Sequence, residues 1–89
     1  MTRWQLPPHP GEIFRDKFRR AQRPPMSEVE AAGRLGWTLT ELHEFEAGEI
    51  LVTPSRAADL EALTGTSADV WMSMQARRHQ WTGIPKRYR

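Results

Sequence analysis

Two helix starts of the same kind stand back to back in the middle of this chain, and each is followed by a glycine stop. Ser27-Glu28-Val29-Glu30 reads as a capping box. In such a box the serine oxygen takes one orphan N–H of the first turn and the glutamate reaches back for another. Gly36 can take positive φ and end that helix. Thr38-Leu39-Thr40-Glu41 repeats the box, and Gly48 repeats the stop. Two short helices joined by a turn of about three residues form the outline of a helix-turn-helix.

The remaining punctuation also predicts helices. Pro7, Pro8 and Pro10 precede Gly11-Glu12-Ile13-Phe14, and proline suits a first helical turn, where its missing N–H costs nothing. Ile13, Phe14 and Phe18 share a face, with Lys17, Arg19 and Arg20 on the flanks. That run stops before Arg23-Pro24-Pro25, because residues ahead of proline leave the α region. Val29, Ala32 and Leu35 are expected to form the buried stripe of the second helix, and Leu42 and Phe45 that of the third. Thr53 caps a fourth helix with Pro54 at its first position; Ala57, Leu60 and Leu63 recur along it and Gly65 ends it. Thr66 or Ser67 caps a fifth, containing Val70, Trp71, Met74, Arg78 and Trp81, closed by Gly83 and Pro85. No alternating run bounded by turn residues argues for a strand. The expectation is an all-α, five-helix domain over residues 1–89, with a short arm at 1–9 and a mobile basic tail at 83–89.

Composition narrows the function. A chain of 89 residues is one domain. There is no cysteine, which excludes thiol catalysis, a thiolate metal site and a disulfide framework. The opening MTRWQLPPHP has no apolar core of a signal peptide, and no run approaches the roughly 18 apolar residues of a membrane helix. A cytoplasmic protein is expected. His9, His43 and His79 lack metal-motif spacing. There is no Ser–His–Asp constellation and no glycine-rich phosphate loop. Neither an enzyme, a cofactor, a metal nor a small-molecule substrate is therefore expected.

Two segments resemble a known family. Leu6-Pro7-Pro8-His9-Pro10-Gly11-Glu12-Ile13 is similar to the opening of HigA/VapI-type antitoxins. Gly65-Thr66-Ser67, Val70-Trp71-Met72 and Met74-Gln75-Ala76-Arg77 are similar to their closing helix, and Trp81 to a final aromatic. Leu35-Gly36, Gly48 and Thr53-Pro54 fall between them at the family's spacing. The resemblance covers roughly residues 6–81. It implies a lambda-repressor-like (XRE) helix-turn-helix fold, a homodimer, a HigB-type ribonuclease toxin as partner, and repression of the operon through double-stranded operator DNA. On that fold Ser27, Glu28, Thr38, Leu39, Thr40, Glu41, His43, Glu44 and Thr53 are the candidate DNA contacts. Trp71, Met74, Arg78 and Trp81 are the candidate dimer interface; the same residues also suit core packing.

Charge distribution sets a second reading beside the first. The formal net charge is +2, but residues 26–50 carry a net −5 between arms of +4 and +3. DNA affinity comes mostly from neutralised phosphates, and the recognition helix is the most acidic stretch. Glu30 and Glu41 are accounted for as capping-box members, whereas Glu28, Glu44, Glu46 and Glu49 are not. The alternative is a helix-turn-helix scaffold that has lost operator binding and serves as a protein-interaction module, with Leu39, Ile50 and Leu51 as an apolar contact surface. Arg15, Arg19, Arg20 and Arg23 either contact phosphates or form a solvated face.

Overall fold

The structure, a computed structural model, describes residues 8–82, with side chains over 8–78. The expectations for the first seven residues, for the tail at 83–89 and for the side chains of Trp81 and His79 lie outside it. Five helices follow in order: α1 (Pro10–Ile13, continuing as a wider turn over Phe14–Arg19), α2 (Glu28–Leu35), α3 (Leu39–Glu46), α4 (Pro54–Thr64) and α5 (Ala68–Thr82). No strand occurs among the described residues.

The caps act largely as their residue types dictate. Thr38 Oγ1 accepts from the Glu41 N–H at 3.0 Å, and Glu41 Oε1 accepts from the Thr38 N–H at 2.9 Å, a complete capping box. Gly36 ends α2 in the left-handed region at φ 78°. Thr53 caps α4 ahead of Pro54, accepting from the Arg56 N–H. Ser67 Oγ accepts from the Val70 N–H at the start of α5. The box at Ser27 is only half made. Ser27 Oγ accepts from the Glu30 N–H, but the Glu30 carboxylate turns to Arg34 four residues on, at 2.9 Å.

Phe14, Ala32, Leu35, Leu42, Phe45, Val52, Ala57, Leu60 and Trp71 form the centre of one core. Each large side chain here contributes about 1.5–3 kcal/mol by leaving water. Trp37 closes the side of the core, edge-on to Phe45, with its indole N–H donated to Asp59 Oδ2 at 2.9 Å. Gly11 lets α1 cross the end of α3 at backbone contact, because a Cβ there would overlap the Phe45 carbonyl.

Two sequence expectations are corrected. Val29 does not join the buried stripe of α2. It is 69% exposed, and Ala31 lies buried beside Ala32 and Leu35 instead. Arg19 is not on a solvated flank but inside. The cause is the second half of α1, where the Arg20 N–H bonds to the Arg15 carbonyl five residues back at 2.9 Å. That ladder advances side chains by an extra residue per turn relative to an α-helix, so Arg19 swings onto the face of Phe14. Trp71 is only 2% exposed, in line with the core-packing reading of that residue.

His9 is the cap of α1. Its Nδ1 accepts from the Glu12 N–H at 3.2 Å, so Nε2 carries the proton. Desolvation lowers the ring's pKa from 6.5, Glu12 opposes this, and the charges of Arg78 and Arg15 add to it. The folded chain therefore binds this proton more weakly than the unfolded chain. The resulting stability is full above about pH 6.5 and is lost as pH falls through the folded pKa. Between pH 7 and 5 the melting temperature of the wild type should fall more steeply than that of His9→Asn, which caps without titrating. Parallel melting curves for the two proteins would remove His9 from this role.

Candidate nucleic-acid interface

The two middle helices are oriented by charge as much as by packing. Arg19 Nε and Nη2 meet Glu46 Oε2 and Oε1 at 2.7 and 2.8 Å, a bidentate pair with both residues buried. Arg19 Nη1 also donates to the Met26 carbonyl at 3.3 Å. One guanidinium thus holds the last turn of α3 and the residue just ahead of Ser27. The hydrogen bond to Glu46 raises the Arg19 pKa further, although burial opposes it. Glu28 Oε1 meets His43 Nε2 at 3.1 Å, tying the first turn of α2 to the middle of α3. That contact, with smaller help from Arg19, pulls the Glu28 carboxyl below its ordinary range.

These contacts redistribute the charge around α3. Glu46 faces the core beside Leu42 and Phe45. Glu28 is held by His43. Glu41 is engaged by the Thr38 N–H and lies 3.8 Å from Arg56. The outward face of α3 presents Leu39 at its start, 40% exposed, then Thr40, His43 and Ala47. Glu44 is the single carboxylate left among them. An open hollow of about 240 Å³ lies beside this face, lined by Arg15, Arg20, Glu28, His43, Glu46 and Ala47. Arg15 and Arg20 share Asp16, at 2.8 and 3.6 Å.

The sequence-derived contacts are thus brought together with two exceptions, Thr53 at the start of α4 and Glu41. Ser27, Glu28, Thr38, Leu39, Thr40, His43 and Glu44 belong to the adjoining outer parts of α2 and α3. Ser27, Thr38 and Thr53 accept hydrogen bonds within their own helices, which leaves each hydroxyl hydrogen free to donate outward. Thr53 is half-buried. Glu41 stands apart because its carboxylate is committed to the cap. The pairing of Arg19 with Glu46 went unseen, because 27 residues separate them. The spacing of Leu42, Phe45 and Glu46 (i, i+3, i+4) was the available signal that Glu46 lies on the buried arc. On α5 the candidate dimer residues Trp71, Met74 and Arg78 share the face turned to the core. The outer strip holds Asp69, Val70, Ser73 and Arg77, and with Met74 these line a shallow groove of about 330 Å³.

Five helices around one core, with a capped second helix and an outward-facing third, define a lambda-repressor-like helix-turn-helix domain. Solved structures place it more closely. The Pseudomonas aeruginosa antitoxin HigA, solved with the higBA promoter, superposes with TM-score 0.78 at 27% identity, over 88% of this chain and 83% of that one. PA4674 of the same organism, solved in complex with its operator DNA, superposes at 0.77 with 28% identity, over 85% of this chain and 80% of that one. A HigA-family addiction module antidote protein from Coxiella burnetii gives 0.79 at 22% identity, over 90% and 85%. No family model and no curated protein sequence matches the chain. The resemblance to HigA-type antitoxins carried by the two end motifs extends over the whole described fold. No helix among the described residues is long and apolar enough to cross a membrane.

Removing Glu46 alone should strand a buried guanidinium, and Glu46→Ala is expected to cost about 3–5 kcal/mol in urea unfolding. The paired replacement Arg19→Met with Glu46→Leu should recover most of that loss. If the double variant is as unstable as the single one, the charge pair is not what the site depends on.

Proposed function

We propose that this chain is a HigA-like antitoxin that represses its own operon as a DNA-binding homodimer and pairs with a HigB-type ribonuclease toxin. The observation that carries the reading is the disposal of the acidic charge. Glu46 is buried against Arg19, and Glu28 and Glu41, although exposed, each accept a hydrogen bond within the fold, so α3 presents hydroxyl, imidazole and methyl groups around one carboxylate, Glu44, that has no such partner. The leading N–H groups of α2 and α3 lack intrahelical acceptors and favour phosphate oxygens. Arg15 and Arg20 beside His43 add positive charge at the edge. Support also comes from the two neighbours at 27 and 28% identity that were solved with promoter or operator DNA. Repression of an operon sets the work in the cytoplasm.

The scaffold alternative keeps part of its support: Leu39 is exposed and of the described acidic side chains only Glu46 is buried, whereas Ile50 packs against the core rather than joining an apolar surface. A mobility-shift titration on the chain's own upstream region, paired with co-purification of the neighbouring gene's product, separates the two readings. Binding at about 50 mM salt that weakens steeply by 200 mM is expected, with a small ribonuclease held in the complex. Absence of a shift at the lower salt overturns repression, and an unbound or unrelated neighbour overturns the antitoxin role.

The homodimer is proposed on the outer strip of α5. Two such helices crossing antiparallel on a two-fold axis at Ser73 set Asp69 of each opposite Arg77 of the other, with Val70 and Met74 between. Val70 is 44% exposed, and the small Ser73 allows close approach. Arg77→Asp juxtaposes like charges twice and should weaken the dimer about ten-fold or more in sedimentation equilibrium. Adding Asp69→Arg should restore it. An unchanged dimer in Arg77→Asp would move the interface elsewhere.

A further inference from the structure

Glu44 is the carboxylate of α3 that the fold does not use. Four of its neighbours in the acidic stretch are engaged: Glu28 with His43, Glu30 with Arg34, Glu41 with its own helix start and Arg56, Glu46 with Arg19; Glu49 lies beyond the end of α3. Glu44 has no side-chain hydrogen bond or ion pair among the described residues. Thr40, Glu44 and Ala47 lie at i, i+4 and i+7 along one line, opposite the buried line of Leu42, Phe45 and Glu46. Leu39 and His43 flank that line toward α2, and Glu41 flanks it toward α4. Ala47 is short and exposed, so nothing beyond Glu44 holds an opposing surface away from it.

A bare carboxylate at the centre of a docking face is selective because so few partners tolerate it. Phosphate oxygens repel it, and so do guanine O6 and N7 and thymine O4 in the major groove. Adenine offers its N6 amino group beside an N7 acceptor. Cytosine presents an N4 amino donor without an adjacent acceptor. We infer that Glu44 reads a cytosine at one position of each operator half-site, accepting a hydrogen bond from N4. This assignment rests on the operator-binding reading above and names what its central side chain selects. Thr40 one turn earlier donates to the neighbouring base edge or phosphate, and Leu39 meets a thymine methyl or sugar.

The test uses the full-length chain and random duplex DNA. Sequences enriched by the wild type are compared with those enriched by Glu44→Gln and Glu44→Ala, and the winning duplex is then titrated with all three. The wild type should enrich cytosine at one position per half-site. Glu44→Gln should shift that position toward adenine, whose N6 and N7 suit an amide, and leave the other positions alone. Glu44→Ala should bind the winning duplex about ten-fold more weakly while binding random duplex at least as tightly as the wild type, because a repulsive charge has gone. Opposite signs on the two DNAs are what a reading residue produces. If Glu44→Ala strengthens binding to both equally, or the variants enrich the same sequence as the wild type, Glu44 is only a repulsive bystander and the inference falls while operator binding stands. A wild type that enriches no sequence overturns both. Melting curves of the variants should stay close to the wild type, since Glu44 makes no side-chain hydrogen bond or ion pair among the described residues.

Discussion

The orientation of the helix pair depends on one buried guanidinium. Arg19 takes both oxygens of Glu46 and the Met26 carbonyl, so three elements meet on a single planar fork. An apolar contact in the same place would serve stability as well or better, since desolvating two charges offsets most of their attraction. Direction is what the fork adds. Two parallel N–H···O bonds fix an angle as well as a distance, and here the angle is that between α1 and the end of α3. The wider turn of α1 makes this possible, because an α-helical period would leave Arg19 on the solvent side.

From that bridge follows a change in how the chain's charge is seen from outside. In sequence, residues 26–50 form a strongly acidic block between two basic arms. In the fold, Arg19 belongs to the first arm yet neutralises the block's last helical carboxylate from within. His43 and Arg34 engage two more from inside the block, and Arg56 reaches a fourth. A linear charge count assigns each residue to its segment, whereas a partner is assigned by topology. The outer surface of α3 therefore loses one carboxylate, Glu46, to the interior, while Glu41 remains at the surface beside Arg56.

Local signals were legible and long-range ones were not. Thr38, Gly36, Thr53 and Gly65 act through bonds to residues within a turn of themselves, and sequence spacing alone exposes them. Ser27 shows where even this fails: its box needed Glu30, but Arg34 one turn later offered that carboxylate a better partner. Val29 was misplaced because the stripe of α2 was centred on a β-branched residue when Ala31 and Ala32, small enough for close helix contact, sit on the inner arc. Trp71, Met74 and Arg78 were correctly grouped on one face of α5. Which way that face pointed depends on α1 and α4, and nothing in the helix itself states it. The outer strip from Asp69 to Arg77 differs from that face in lacking a large aromatic side chain at its centre.

A surface with few free cations can still hold a polyanion if it does so twice. On the proposed reading each half-site contributes modest phosphate neutralisation from helix N-termini and the arginines beside His43, too little by itself to compete with salt. Joining two such surfaces through a rigid interface makes the second contact intramolecular, at an effective concentration set by geometry. The strip from Asp69 to Arg77 then matters as much to DNA affinity as any residue of α3. Affinity that arises from pairing lets a central carboxylate remain in the reading face, since its repulsion at wrong sequences is doubled along with everything else. Weak cationic attraction and a negative reading residue, which look like defects in one copy, together favour sequence discrimination over general DNA binding in two.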